Sequence, residues 1–143
     1  MIRGRDFLTV VDHLRAKDDE IYKRTSISRA YYAAFLEARA FSNDYLGHAQ
    51  TRSANEHQRL PTILHELDPG LAANMKFLRR LRNSADYDVD LSSDTIARSA
   101  VDAEDFATRI IARLDELAAE RAANVPRTGR DAPDSDSSPA TPS

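Results

Sequence analysis

Between Thr25 and Gly47 the chain reads TSISRAYYAAFLEARAFSNDYLG, and its apolar residues return with the period of an α-helix. Ile27, Ala30, Tyr31, Ala34, Phe35, Ala38, Phe41 and Tyr45 share one face, which commits this stretch to a helix beginning at Thr25 or Ser26 and packed along its length. Alanines at 30, 33, 34, 38 and 40 keep the surface low, so a neighbouring backbone can approach closely. Arg29, Tyr32, Leu36 and Arg39 form a second stripe. A helix with two interactive faces serves two partners, and these four residues are the expected interface with a second copy of the chain. Tyr31 and Tyr32 point about 100° apart on a helix, which gives Tyr31 to the core and Tyr32 to that interface. Asn43 and Gly47 supply the stop.

The rest of the chain repeats the pattern. Phe7, Val10, Val11 and Leu14 mark a short first helix with Asp6 as its N-cap, and the charged run AKDDE separates it from the second. Ser53 and Glu56 have capping-box spacing before Leu60, Ile63, Leu64 and Leu67, and Pro61 predicts a kink there or a short helix that begins at the proline. Asp68 followed by Pro69 reads as N-cap and first position of a fourth helix. Asp94 is the expected cap of a last helix carrying Ile96, Ala100, Ala103, Ala107, Ile110, Leu114 and Leu117, about 42 Å long if it runs to Arg121 at 1.5 Å per residue. No strand-like alternation or internal repeat interrupts the sequence. The fold class is therefore all-α, an antiparallel bundle of four to five helices over residues 1–124. Residues 125–143 hold four of the six prolines and almost no apolar side chain, the composition of a disordered tail.

One position breaks the apolar pattern of the fourth helix. Leu71, Met75, Leu78, Arg82 and Ala85 recur at steps of four, three, four and three, which places Arg82 in the stripe that faces the core. A guanidinium there must be paired or used, because its charge is permanent and its donors need acceptors. Asp86 lies one turn on, and Asn83 and Tyr87 add an amide and a phenol. Two readings stand: a structural Arg82–Asp86 ion pair, or a functional arginine. Lys76, Arg79 and Arg80 add a basic strip on the flank and outer face of the same helix, either a solvated surface or a phosphate-binding site.

Composition removes several function classes. A net charge of −3 excludes a protein that coats nucleic acid non-specifically, though not a local basic patch. No cysteine is present, so disulfides, thiolate zinc sites and cysteine nucleophiles are all absent. His13, His48, His57 and His65 lie at no zinc-motif spacing, and no Gly-rich phosphate loop or nucleophile elbow occurs. No metal or other cofactor is expected. The chain has neither a membrane span nor a signal-peptide cleavage pattern, so a cytoplasmic location follows.

SISRAYYAAFLEARA in the second helix, EHQRLPTIL in the third and LRRLRNSADYD in the fourth together resemble the HEPN superfamily, in particular its small prokaryotic members with Arg-Ala-Tyr-Tyr-Ala and Arg-x-x-Ala-Asp-Tyr signatures. The resemblance covers roughly residues 5 to 120 in order. It implies a helical bundle that dimerises with the arginine motifs of two subunits facing each other. It also implies a metal-independent ribonuclease of the toxin or defence kind, or a non-catalytic module that binds a nucleotide or accompanies a nucleotidyltransferase or antitoxin. Arg82 and Asn83 match the start of the ribonuclease motif, but its histidine would fall at Tyr87, Asp88 or Val89. Asp86 and Tyr87 match the Arg-x-x-Ala-Asp-Tyr variant instead. The candidate catalytic set is thus Arg82, Asn83, Asp86 and Tyr87, with Lys76, Arg79 and Arg80 for RNA or nucleotide phosphate. Tyrosine, ordinarily titrating near pH 10, is a poor base at neutral pH.

Overall fold

The computed structural model describes residues 1–47 and 56–124. A 3₁₀ turn, Gly4–Asp6, leads into α1 (Phe7–Arg15), followed by α2 (Glu20–Tyr45), α3 (Glu56–Leu67), α4 (Pro69–Tyr87) and α5 (Ser93–Asn124). Among the described residues every regular element is helical, and none of the helices is long and apolar enough to cross a membrane. The all-α bundle expected from periodicity is the fold. The proposed caps at Ser53 and the tail at 125–143 lie outside the described residues.

α2 is the central element, packed on α5, α1 and α4. Ile27, Ala30, Tyr31, Ala34, Phe35, Ala38 and Phe41 are all buried on it, while Tyr45 at its end is exposed. The alanines let α5 approach closely, and α5 answers with Ala100, Ala103 and Ala107 among Ile96, Ile110, Leu114 and Leu117, all buried. Ion pairs and hydrogen bonds fix the directions. Glu20 of α2 accepts from Ser93 of α5, and Arg5 bridges Glu37 of α2 to Asp115 of α5, so α2 and α5 run the same way. α4 runs opposite to α2, with Tyr32 beside Arg82 and Arg24 beside Ala85.

The helix ends differ from the sequence reading in four places. Asp6 does not cap α1: its carboxylate accepts from the Arg3 backbone N–H at 2.6 Å and closes the preceding 3₁₀ turn instead. α2 begins at Glu20 rather than Thr25 or Ser26. Its first turns were hidden because their buried face is polar, built from Arg24 and Ser26, while Ile21 and Tyr22 are exposed. α3 passes through Pro61 rather than starting there, since the proline sits beyond the first turn and the helix gives up a single amide bond. α5 is capped by Ser92, whose hydroxyl accepts from Thr95 N at 3.2 Å. Asp94 lies within the first turn, where a carboxylate meets the positive end of the helix dipole. Asp68 caps α4 as expected, accepting from Leu71 N at 3.1 Å with Pro69 behind it. Arg113 of α5 adds a 2.7 Å ion pair to the same carboxylate and holds it below its ordinary range. Gly47, just past α2, takes a φ of 72°, which the absence of a Cβ permits.

The N-terminal turn is bound tightly to α2. A Cβ on Gly4 would stand 2.7 Å from the Ala33 carbonyl oxygen and 2.9 Å from Glu37 N, so only glycine allows this approach. Beside it Glu37, 6% exposed, accepts from the Arg5 backbone, the Arg5 guanidinium and Arg3. Burial pushes the Glu37 carboxyl up, but the Arg5 hydrogen bonds and charge outweigh it and leave the group below its ordinary value.

Candidate functional site

α4 carries two polar surfaces, and both derive from its sequence. On the side facing α2, Arg82 and Asp86 are one turn apart. Arg82 Nε lies 2.9 Å from Asp86 Oδ2, an ion pair whose N–H is not aimed at the oxygen. Arg82 Nη1 donates to Asn83 Oδ1 and Nη2 to the Tyr32 hydroxyl, each at 3.2 Å. The guanidinium also stands over three aromatic rings, 5.4 Å from Tyr32, 5.8 Å from Tyr31 and 6.0 Å from Tyr87, distances at which a cation is attracted to a π-face. Its side chain is only 18% exposed. The cost of a charge in the core stripe is offset by the Asp86 carboxylate, the Asn83 and Tyr32 oxygens and the rings, with Nε alone making no hydrogen bond.

α2 supplies the other half of this clasp. Ser28 donates to Asp86 at 3.4 Å, and Tyr32 accepts from Arg82. Tyr31 is buried beneath, stacked on Phe35 and edge-on to Tyr32. Burial raises its phenol to about 12, with Arg79 and Arg82 acting to lower it. At neutral pH it is a neutral group and no base.

The second surface is a groove between α3 and α4, about 380 Å³, lined by Gln58, Pro61 and Thr62 on one wall and Lys76, Arg79, Arg80 and Asn83 on the other. All three residues of the basic strip meet here, and Asn83 belongs to both surfaces. Because its oxygen accepts from Arg82, its amide NH₂ is the remaining polar end of a side chain that lines the groove. Lys76 and Arg80 are exposed, whereas Arg79 is half-buried. Among the described residues, no carboxylate pairs with Lys76 or Arg80. By contrast, Arg5, Arg15, Arg24, Arg82 and Arg113 each meet one.

Of the four residues read as an intersubunit stripe, Arg29 is exposed and Tyr32 serves the clasp. Leu36 is half-buried against the core beside Gly4, and the Arg39 guanidinium lies 5.7 Å from the Phe35 ring centre. Sequence reasoning missed Arg24, which is 8% exposed and donates through Nη1 to the carbonyls of Ala85 at 2.9 Å and Asp88 at 2.8 Å. It closes the C-terminal end of α4 and so fixes the backbone that carries Asp86 and Tyr87. The signal was present, since Arg24, Ser28 and Tyr32 recur every four residues as a polar stripe matching Arg82 and Asp86. Among the described residues no three His, Asp or Glu side chains are grouped to hold a metal ion. No protein-family model, curated protein or solved structure matches the chain.

Proposed function

We propose that this chain is an RNA-directed effector of the HEPN kind, a cytoplasmic toxin- or defence-related protein that binds RNA along α4 and acts as a homodimer. The observation that carries this reading is a single stripe on α4. Lys76, Arg80, Asn83 and Tyr87 follow one another at steps of four, three and four, so cations, an amide and a ring that is 74% exposed lie in line. A basic groove leading to an aromatic platform suits single-stranded RNA, whose phosphates need cations and whose bases stack on rings. Arg82 lies directly behind Asn83. A phosphate oxygen that replaces Asn83 at Nη1 receives a charge-assisted bond while Asp86 and Tyr32 keep the guanidinium in place. Tyr87 or a ribose hydroxyl then supplies the proton relay.

Arg82→Lys tests this reading, because lysine keeps the charge but loses the planar fork that serves Asp86, Tyr32 and a phosphate together. The expected result is a folded variant that no longer cleaves RNA or arrests growth, with wild-type activity surviving a chelator. Equal behaviour of wild type and variant in both assays makes Arg82 structural. A second reading, a non-catalytic dimeric module that binds a nucleotide or a partner such as a nucleotidyltransferase or antitoxin, is favoured by one observation. Arg82 is already engaged by an ion pair with Asp86 and hydrogen bonds to Asn83 and Tyr32, and the motif's histidine is replaced. Nucleotide binding that depends on Lys76 and Arg80, in a wild-type protein that cleaves nothing, selects it.

A further inference from the structure

We infer that the end of the bundle where α2 begins and α4 closes docks a basic amphipathic segment of another protein, lysine or arginine side chains set among aliphatic ones. This inference rests on neither reading above. Its starting point is exposure. Ile21 is 65% exposed on the first turn of α2 and Val89 is 77% exposed just past α4, with Tyr22 and Tyr87 also exposed at this end. The pairing of the two helices brings them together. Ile21, Thr25, Ser28 and Tyr32 recur at steps of four, three and four. Because Tyr32 meets Arg82 and Ser28 meets Asp86, the antiparallel register sets Ile21 level with the stretch from Asp88 to Asp90. Arg24, in the turn after Ile21, donates to the Asp88 carbonyl at 2.8 Å and holds the two segments side by side. Apolar side chains scattered singly over a surface need no explanation, whereas a cluster rimmed by charge marks a binding site.

The charge around the cluster selects the partner. Asp18, Asp19, Asp88 and Asp90 are exposed, and none of them forms an ion pair among the described residues. From Asn83 to Ala97 the chain carries no lysine or arginine. Asp18 and Asp19 precede α2, where the positive end of the helix dipole favours them. Asp88 and Asp90 follow the C-terminal end of α4, where the dipole is negative and opposes them. Folding gains nothing from carboxylates there, but a cationic partner does. Tyr22 already shows the preference, since the Lys17 ammonium stands 5.5 Å from its ring centre. Nucleic acid and anionic lipid are repelled by the same rim. A second copy laid symmetrically on this face would set carboxylate against carboxylate. The chain's own Arg127 and Arg130 lie within six residues of Asn124, at the far end of α5. That is about 20 Å of extended chain, against about 47 Å of helix back to Ser93 beside Glu20. The cations must come from another protein.

Titration of the full chain with a short labelled peptide of alternating lysine and leucine tests this, read by fluorescence anisotropy and by amide shifts of isotope-labelled protein. Two control peptides carry glutamate for lysine or serine for leucine. The lysine–leucine peptide is expected to bind about tenfold or more tightly than either control and to weaken about tenfold between about 50 and 500 mM salt. It should shift the amides of Ile21, Tyr22, Val89 and Asp90. Asp88→Asn with Asp90→Asn should weaken it about tenfold, and Ile21→Ser with Val89→Ser by about as much. All four side chains are exposed, so unchanged melting is expected, or a slight gain for the asparagines that relieve the α4 dipole. Asp44→Asn with Glu66→Gln makes the same change of charge in the last turns of α2 and α3, at the opposite end of the bundle, and should leave binding intact. Equal weakening by that pair reduces the effect to net charge and overturns the surface. Equal affinity for the serine peptide, shifts confined to other residues, or no binding at all overturns it too. Growth beyond a dimer at low salt that Asp88→Asn with Asp90→Asn abolishes makes the occupant the basic strip of a second copy, and overturns the foreign partner.

Discussion

Arg24→Met removes the guanidinium that closes α4 while keeping a long apolar stem in its place. Two charge-assisted bonds to backbone carbonyls are lost, to Ala85 at 2.9 Å and Asp88 at 2.8 Å, together with the 3.0 Å pair to Glu20. Hydrogen bonds to charged groups contribute about 1.5–3 kcal/mol each, and the carbonyls left behind have no other helical donor. Against this, methionine escapes the cost of burying a charge, and Arg24 Nη2 is buried without an acceptor among the described residues. The balance is a loss of about 2–4 kcal/mol. For a domain of this size each kcal/mol moves Tm by about 3–4 °C, so the midpoint should fall by roughly 6–16 °C. Urea unfolding gives the free energy, and hydrogen exchange gives the location. Amides over the last turn of α4 should exchange faster than those of α2, because the damage begins where the cap was. A variant within about 0.5 kcal/mol of wild type would refute the assignment of Arg24 as the cap.

Gly4→Ala should cost about 1–3 kcal/mol in urea unfolding, because its Cβ meets the Ala33 and Glu37 backbone rather than a movable side chain. Stability should drain in acid: the Glu37 carboxyl is held below its ordinary value of 4.5, so its contribution is complete above that pH and is lost as pH falls through the lower folded value, and Glu37→Gln should flatten this part of the curve. Asn83→Asp should leave melting unchanged or raised, since a carboxylate still faces Arg82, yet abolish phosphate binding by placing a negative charge in the groove, as read by titration with adenosine monophosphate. Solution mass at micromolar concentration should be that of a dimer, and Arg29→Glu should lower it to that of a monomer if this exposed residue of α2 lies in the interface.

The core was legible because its helices obey one rule. Every α5 position chosen from the spacing, from Ile96 to Leu117, is buried, as are Leu71, Met75, Leu78 and Ala85 of α4. What escaped were ends and polar contacts. The start of α2 was misplaced because periodicity registers apolar residues, and the buried side of its first turns is Arg24 and Ser26. Pro61 was read as a kink or the start of a short helix, and only the second is overturned, because a proline can stay inside a helix at the loss of one bond when its neighbours pack. Glu37 lies outside both stripes read from the spacing of α2. It is buried because Arg5, thirty-two residues away, folds back onto it, and no local pattern announces so distant a partner.

Arg82 shows both sides of this. Its position in an apolar stripe predicted a paired charge, and Asp86, Asn83 and Tyr87 gather round it as their spacing on one helix requires. Tyr32 and Ser28 come from α2, so their part follows only once the two helices are docked. The clasp has a consequence that neither helix contains alone. By occupying the Asn83 oxygen, Arg82 decides which end of that amide is left to the groove, and the end left is the donor. An inward arginine thereby leaves a donor, rather than an acceptor, in the wall that carries the outward basic strip, a coupling of the two surfaces of α4 through one shared side chain.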